Sequence, residues 1–246
     1  MGYFCKRNKH QSFVKKYIFY IFLALGFMLF CCPLETNFFA FAEGDDTVIT
    51  PPSVGYTIVV DPGHGGIDPG SIGYKTKVKE SELNLKFSLM LADKLRAVGI
   101  RVIMTRTDDD SLAHDLTGKA FKKEDMRLRK EMIDRIRPNM VISLHMNSYT
   151  NHVLRGAKVF YDKTSEISRG IAESIQKQFS ENLEASNNVA SVGDYYMLKC
   201  TESPSIICEC GFLSNARDEQ LLLEPKYQEI IVDCIFKGII NFLNIN

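Results

Sequence analysis

Four residues of this chain have the type and surroundings that chemistry requires: His64, Glu80, His145 and Glu209. His64 lies in Asp61-Pro62-Gly63-His64-Gly65-Gly66, directly after the β-branched run Thr57-Ile58-Val59-Val60. Such a run reads as a buried strand, and the turn past its carboxyl end is where open α/β sheets gather ligands. The flanking glycines let backbone and substrate approach the imidazole closely. His145 ends another apolar run, in Ser143-Leu144-His145-Met146-Asn147. In a parallel sheet the two histidines then share one edge. Neutral imidazole is the commonest protein metal ligand, and hydrolytic zinc takes three protein ligands and leaves one position for water. A third ligand must be a carboxylate or histidine within reach of that edge. Glu80, in Lys79-Glu80-Ser81-Glu82-Leu83-Asn84-Leu85, is a candidate. Glu82 and other acids compete with it, and an acid here could equally just complement a helix dipole.

Glu209 stands inside Ile206-Ile207-Cys208-Glu209-Cys210-Gly211-Phe212. A carboxylate in a buried strand is costly unless it is paired or has a task. Alternation turns Cys208 and Cys210 to the face opposite Glu209. On the residues alone, Glu209 is either a salt-bridged structural acid or a working one.

The elements that must position these residues follow from periodicity. Strands are expected at 56–61, 101–105, 140–144, 156–161, 195–199 and 205–210, each a short apolar or alternating run. Leu83, Phe87, Met90, Leu91, Leu95 and Val98 recur at three- and four-residue steps, predicting a helix over 81–98 that closes at Gly99. Helices are also expected over 124–137, stopped by Pro138, and over 164–183 and 225–243. Residues 63–79, 108–123 and 187–193 read as loops. Strands alternating with helices predict a single α/β domain with a mostly parallel central sheet and helices on both faces.

The rest of the chain sets bounds. Its 246 residues are 45% hydrophobic with no net charge, which excludes bulk electrostatic binding to nucleic acid. Lys6, Arg7, Lys9, Lys15 and Lys16 precede an uncharged run over 17–32, and Ala40-Phe41-Ala42 follows. That order reads as an export signal over 1–42, either cleaved after Ala42 or kept as a membrane anchor. Residues 43–55, acidic and then proline-rich, read as a linker, and 56–246 as the catalytic domain. Without residues 1–42 the chain keeps 25 basic and 29 acidic residues, so an anionic polymer would have to be held by a local groove. Cys200, Cys208, Cys210 and Cys234 have neither disulfide-framework nor zinc spacing, and read as buried free thiols, the alternative being a pairing of Cys200 with Cys208 or Cys210.

Taken together, Val60-Asp-Pro-Gly-His-Gly-Gly66, Glu80 four residues before Asn84-Leu85, Ser143-Leu-His-Met-Asn147 and Pro204-Ser-Ile-Ile-Cys-Glu-Cys-Gly-Phe-Leu-Ser-Asn215 resemble the motifs of zinc-dependent N-acetylmuramoyl-L-alanine amidases of the Amidase_3 type. The resemblance spans about residues 56–243. It implies Zn2+ held by His64, Glu80 and His145, with Glu209 as the catalytic carboxylate. The family pattern has Glu-Lys at the ligand position where this chain has Glu80-Ser81; Asn84-Leu85 sets the register in favour of Glu80. The segment 115–129 further resembles the germination-specific amidases of the CwlD type. There Arg129 either reaches the groove or lies on the helix surface.

What the resemblance implies is cleavage, in peptidoglycan, of the amide joining the lactyl group of N-acetylmuramic acid to L-alanine, during spore cortex maturation, when muramic-δ-lactam forms, and germination. Zinc would acidify a water and polarise the carbonyl; Glu209 would carry the proton to the leaving amine, and Asn147 could orient a ligand or the substrate. Two rival readings share the same residues: a zinc carboxypeptidase acting on wall peptides, and a catalytically silent module that binds the wall or a partner. A protein activator is a further expected partner, with no residue that identifies it.

Overall fold

The central sheet is built by residues that cannot stay in water. Four apolar strands, β1 (Thr57–Pro62), β2 (Arg101–Met104), β3 (Met140–Asn147) and β6 (Ser205–Phe212), lie parallel in the order β2-β1-β3-β6. Beyond β6 come β4 (Lys158–Tyr161), antiparallel to it, and the two-residue β5 (Ser191–Val192), parallel to β4. The computed structural model describes residues 55–245 apart from Asp115 and Asn188. The expected export signal, and all of the linker except Gly55, lie outside the described residues.

Alternation along the strands divides the sheet into two unequal faces. Ile58, Val60, Ile142, Leu144, Ile206 and Cys208 point to one face. It is covered by α1 (Glu80–Ala97), α3 (Glu166–Asn182) and α6 (Pro225–Leu243), through Phe87, Leu91, Ile171, Ile175, Ile231 and Ile235. Burying side chains of this size contributes about 1.5–3 kcal/mol each, so this face holds most of the hydrophobic stabilisation. The other face carries a small cluster of Val59, Val141 and Ile207 against Ile133 of α2 (Gly118–Ile136) and Met197 and Leu198 of α4 (Tyr196–Lys199). The next residues outward on that face, two steps along each strand, are polar: Asp61, Ser143 and Glu209, with His145 beyond Ser143.

The expected α/β architecture is present, with local corrections, among them the two-residue β5 inside the stretch 187–193 expected to be loop. The strand expected at 195–199 is absent: Tyr196–Lys199 form the short helix α4, with Tyr195 extended before it. Met197 and Leu198 are adjacent and both buried in one cluster, which a helical turn permits and an alternating strand would not. Helix α2 starts at Gly118, within the stretch expected to be loop; its first turns are lysine-rich, and the buried Phe121 anchors them. Helix α5 (Ala216–Leu223) was not expected, being only eight residues long. Its start is set by Asn215, whose side chain accepts from the backbone N–H groups of Arg217 and Asp218.

Among the described residues Cys200, Cys208, Cys210 and Cys234 are free thiols, and no helix is long and apolar enough to cross a membrane. Helices α3 and α6 approach so closely at Gly238 that an added Cβ would stand 2.6 Å from the Ile175 Cα. Replacing that glycine by alanine gains about 1 kcal/mol of helix propensity. Overpacking against a backbone atom costs typically ~1–3 kcal/mol. Gly238→Ala should therefore lower stability overall, read as a reduced midpoint in urea denaturation; a raised midpoint would show that the two helices separate freely.

Candidate active site

The cleft forms where β1, β3 and β6 end at their carboxyl edge, because the polar residues of the thin face converge there. The pairing register sets Asp61 beside Ser143 and His145 beside Glu209. His64 follows β1 in a left-handed conformation, φ 61°, which a residue with a Cβ adopts only under constraint. Gly63 before it has no side chain because the His145 ring occupies that space: an added Cβ would stand 2.2 Å from the imidazole. The two imidazoles meet edge to face, with centroids 5.0 Å apart.

Glu80 joins them. Its Oε1 is 3.2 Å from His64 Nε2 and 2.9 Å from His145 Nδ1. The same oxygen accepts from the Met146 N–H at 3.2 Å, and Oε2 accepts from the Ser71 N–H at 2.8 Å. Burial alone would raise the Glu80 pKa, but hydrogen bonds and positive charge from His145 and His64 hold it well below the ordinary carboxylate range. Glu82, its competitor in sequence, faces outward and pairs with Lys79 at 3.4 Å. One ligand atom each from His64, Glu80 and His145 lie within 4.8 Å of one another, so these three residues could hold a metal ion.

His64 is gripped on its other side by a residue the sequence reading passed over. Its Nδ1 hydrogen-bonds Asp68 Oδ2 at 2.9 Å. Burial works against protonation of His64, but Asp68 and Glu80 together raise its pKa to about 9. Such a carboxylate partner orients a ligating imidazole and fixes which nitrogen faces a metal. The only sequence signal was an aspartate four residues on, in a glycine-rich loop.

Glu209 occupies the same face and is buried. Its Oε2 has no hydrogen-bond partner among the described residues. Burial raises its pKa to about 7, with the charge of Glu80 adding to the rise and that of His145 opposing it. Cys208 and Cys210 lie on the face opposite Glu209, as expected: both belong to the large core. Asn147 lines the cleft, whose volume is about 400 Å³.

Arg129 is the second residue whose role sequence left open. It lies neither on the helix surface nor free in the groove. It is almost wholly buried, donating to Asp61 Oδ1 at 2.5 Å, Asp125 Oδ2 at 2.7 Å, and the carbonyls of Pro62 and His64 at 2.9 and 2.7 Å. Thr105 and Ser143 hydroxyls complete the shell of Asp61 at 2.6 and 2.7 Å. Burial would raise the Asp61 pKa; Arg129 and the two hydroxyls bring it below the ordinary value.

A parallel-sheet α/β domain with a His-Glu-His cluster and an unpartnered carboxylate at the strands' carboxyl edge has the make-up of a hydrolase. Residues 58–241 match the N-acetylmuramoyl-L-alanine amidase family across most of the chain, and the chain belongs to that family. It is 34% identical over 195 residues to the germination-specific N-acetylmuramoyl-L-alanine amidase of Bacillus subtilis (strain 168), covering 78% of this chain and 81% of that one. The amidase LytC of the same organism is 29% identical over 195 residues, 78% of this chain but 36% of LytC. Among solved structures, the CwlD amidase from Clostridioides difficile in complex with the GerS lipoprotein superposes with a TM-score of 0.73 at 35% identity, covering 78% of this chain and 100% of that one. The chain is accordingly a peptidoglycan amidase.

Removing one member of a buried ion pair leaves the other charge unpaired, a loss of typically ~3–5 kcal/mol. Arg129→Met should therefore destabilise the fold by about that much, while Asp61→Asn/Arg129→Met should recover part of it. A double-mutant cycle by chemical denaturation checks this, and an Arg129→Met loss below about 1 kcal/mol would mean that water reaches Asp61.

Proposed function

We propose that this chain is a zinc-dependent N-acetylmuramoyl-L-alanine amidase. It acts outside the cytoplasmic membrane on peptidoglycan of the spore cortex, where removal of the stem peptide precedes muramic-δ-lactam formation and later germination. The observation that carries the reading is the Glu80 carboxylate lodged between His64 Nε2 and His145 Nδ1, with the unpartnered Glu209 carboxylate on the same face. The germination role rests on the similarity to the amidase named for germination, and an accessory protein partner on the similarity to a CwlD amidase solved with a lipoprotein. Export rests on the basic and apolar character of residues 1–42.

Two imidazoles and a carboxylate are a donor set that suits zinc, and they are the ligands assigned here: His64, Glu80 and His145. Zinc bound there polarises an amide carbonyl and makes water a better nucleophile. The chain's own residues do the rest. Asp68 holds the His64 ring through Nδ1, so that Nε2 faces the cleft. The Ser71 and Met146 N–H groups fix the Glu80 carboxylate. Glu209, with an oxygen free of other bonds, takes a proton from the attacking water and delivers it to the alanine nitrogen as the carbon–nitrogen bond breaks.

Peptidoglycan digested with the metal-loaded protein, with and without chelator, is the deciding assay. The expected products are glycan freed of stem peptide, with intact peptides beginning at alanine. Release of single amino acids would instead mark a carboxypeptidase, and no cleavage a binding module. Glu209→Gln should keep zinc content and melting temperature while cleavage falls by ~10²–10⁴. Near-normal turnover would remove Glu209 from the mechanism, and loss of zinc would make it a ligand. Alanine at His64, Glu80 or His145 should each sharply reduce zinc retention, measured by metal analysis; full retention in Glu80→Ala would move the third ligand elsewhere.

Asp68 and Glu80 together keep His64 protonated, and zinc held by Nε2 would require the proton there to be released. A histidine whose folded pKa is raised stabilises the zinc-free fold fully below pH 6.5 and loses that contribution as pH rises through about 9. The melting temperature gap between zinc-loaded and zinc-free protein should widen over that window. A gap that stays constant would show that no His64 proton is released on binding.

A further inference from the structure

Helix α1 carries three polar side chains on its buried face, Ser81, Asn84 and Ser88, each fully enclosed. A polar group in such a place is costly unless its hydrogen bonds are made. Asn84 makes only part of its set. Its Nδ2 donates to the Gly63 carbonyl at 3.1 Å and to Glu80 Oε1 at 3.4 Å. Its Oδ1 has no hydrogen-bond partner among the described residues. Both partners are acceptors, so the NH2 group and not the oxygen must face them. An apolar side chain of the same size would remove that unpaired acceptor from the core, so stability alone gives little reason for an amide here. The reason must lie in what the amide touches.

Gly63 immediately precedes His64, and Glu80 lies one turn before Asn84 on α1. One amide thus spans the His64 loop and the carboxylate between the two imidazoles. The Gly63 carbonyl has a second donor, Arg106 Nη2 at 3.0 Å, and does not depend on Asn84. Glu80 is in a different position. Its Oε1 faces His64 Nε2 and His145 Nδ1 at 3.2 and 2.9 Å. An imidazole nitrogen that ligates a metal does so through its lone pair and has no proton to give a neighbour. The donors then left to Glu80 are the Ser71 N–H on Oε2, and the Met146 N–H and Asn84 Nδ2 on Oε1. Asn84 is the one side chain among them. We infer that Asn84 is a positioning residue for the metal site: its amide, anchored on the Gly63 carbonyl, holds the Glu80 carboxylate where a divalent cation is to be bound. This assignment rests on the metal-site reading above. Ligating carboxylates that are themselves hydrogen-bonded bind metal more tightly, because their orientation is set before the ion arrives.

The test measures the zinc affinity of the full chain by competition with a chelator, together with the melting temperature of the zinc-free protein. Asn84→Leu should weaken zinc binding roughly 10–100-fold, the usual effect of losing a bond to a ligating group, with the zinc-free melting temperature little changed. Asn84→Ala should weaken zinc likewise, and covers the case in which leucine fails to pack. Ser88→Ala removes an equally buried polar group one turn further from Glu80, and should leave zinc affinity unchanged. In a Glu80→Ala background, Asn84→Leu should alter zinc affinity by less than about two-fold, because its effect passes through the carboxylate. Unchanged affinity in both Asn84 variants overturns the assignment. So does a loss that persists in full in the Glu80→Ala background, which would place the action at Gly63. A loss of affinity in Ser88→Ala equal to that in the Asn84 variants, with a lowered zinc-free melting temperature in each, would reduce Asn84 to a packing residue. If the unmodified protein binds no zinc, the metal-site reading falls, and this assignment with it.

Discussion

The His64 turn is held by buried guanidinium groups, and the rest of the site depends on that grip. A histidine with φ 61° is in a conformation that costs an L residue about 1–2 kcal/mol. Arg129 bonds the carbonyls of Pro62 and His64, and Arg106 bonds those of Pro62 and Gly63, so three successive carbonyls are fixed. Arg106 also reaches the Ser81 carbonyl in the first turn of α1, tying the helix that carries Glu80 to the loop that carries His64. Two guanidinium groups so close are tolerable only because acids surround them. Burial and the Arg129 charge lower the Arg106 pKa to about 10, while Asp61, Asp109 and Asp125 resist the fall. An ion-pair network of this depth is weak support for stability as such, since desolvation consumes much of the attraction. What it supplies is position: His64 and Glu80 cannot drift independently.

The unequal faces of the sheet explain why the site lies where it does. One face is sealed by three long helices over a large apolar core. The other is covered only by α2 and the short α4, over a small apolar cluster. Beyond that cluster, strand alternation keeps delivering side chains to the same face, and those are Asp61, Ser143, His145 and Glu209. A bulge after His145 shifts the β3–β6 register there, where the strands cease to need one another. Thin coverage and polar residues thus coincide at one end of the parallel strands. The cleft is a consequence of the fold, not an addition to it.

Much of this was legible in sequence because period-two and near-period-four patterns report burial directly. The parallel strands through Val59, Ile142 and Ile207, and the helices through Leu91, Ile175 and Ile235, all follow from where apolar residues recur. The histidines could be placed on one edge because each ends such a run. What resisted reading was structure held by polar atoms. The Asp68–His64 bond joins two residues of an irregular loop, and Arg129 is a charged residue on a lysine- and glutamate-rich helix, with nothing in its immediate neighbours to mark it as buried. Helix α4 was misread because four residues are too few to show a period. Helix α5 begins at a capping asparagine, but its apolar residues bunch at Leu221, Leu222 and Leu223, so no stripe announces it.

Charge then links the scaffold to the chemistry. Asp61 and Asp125 pair with Arg129 in the wall, leaving Asp68, Glu80 and Glu209 as the lining acids with no arginine partner. Asp68 and Glu80 are held ionised by the histidines, whereas burial raises Glu209 to a pKa of about 7. The difference arises from partners and not from residue type: Glu80 accepts hydrogen bonds at both oxygens, and Glu209 has one oxygen with none. A carboxylate poised near neutrality can accept a proton and give it back, while one fixed far below neutrality can only serve as a permanent anion. Two glutamates within one cleft thereby differ, and the hydrogen bonds each receives or lacks are what suit Glu80 to a fixed charge and Glu209 to the base of the proposed mechanism.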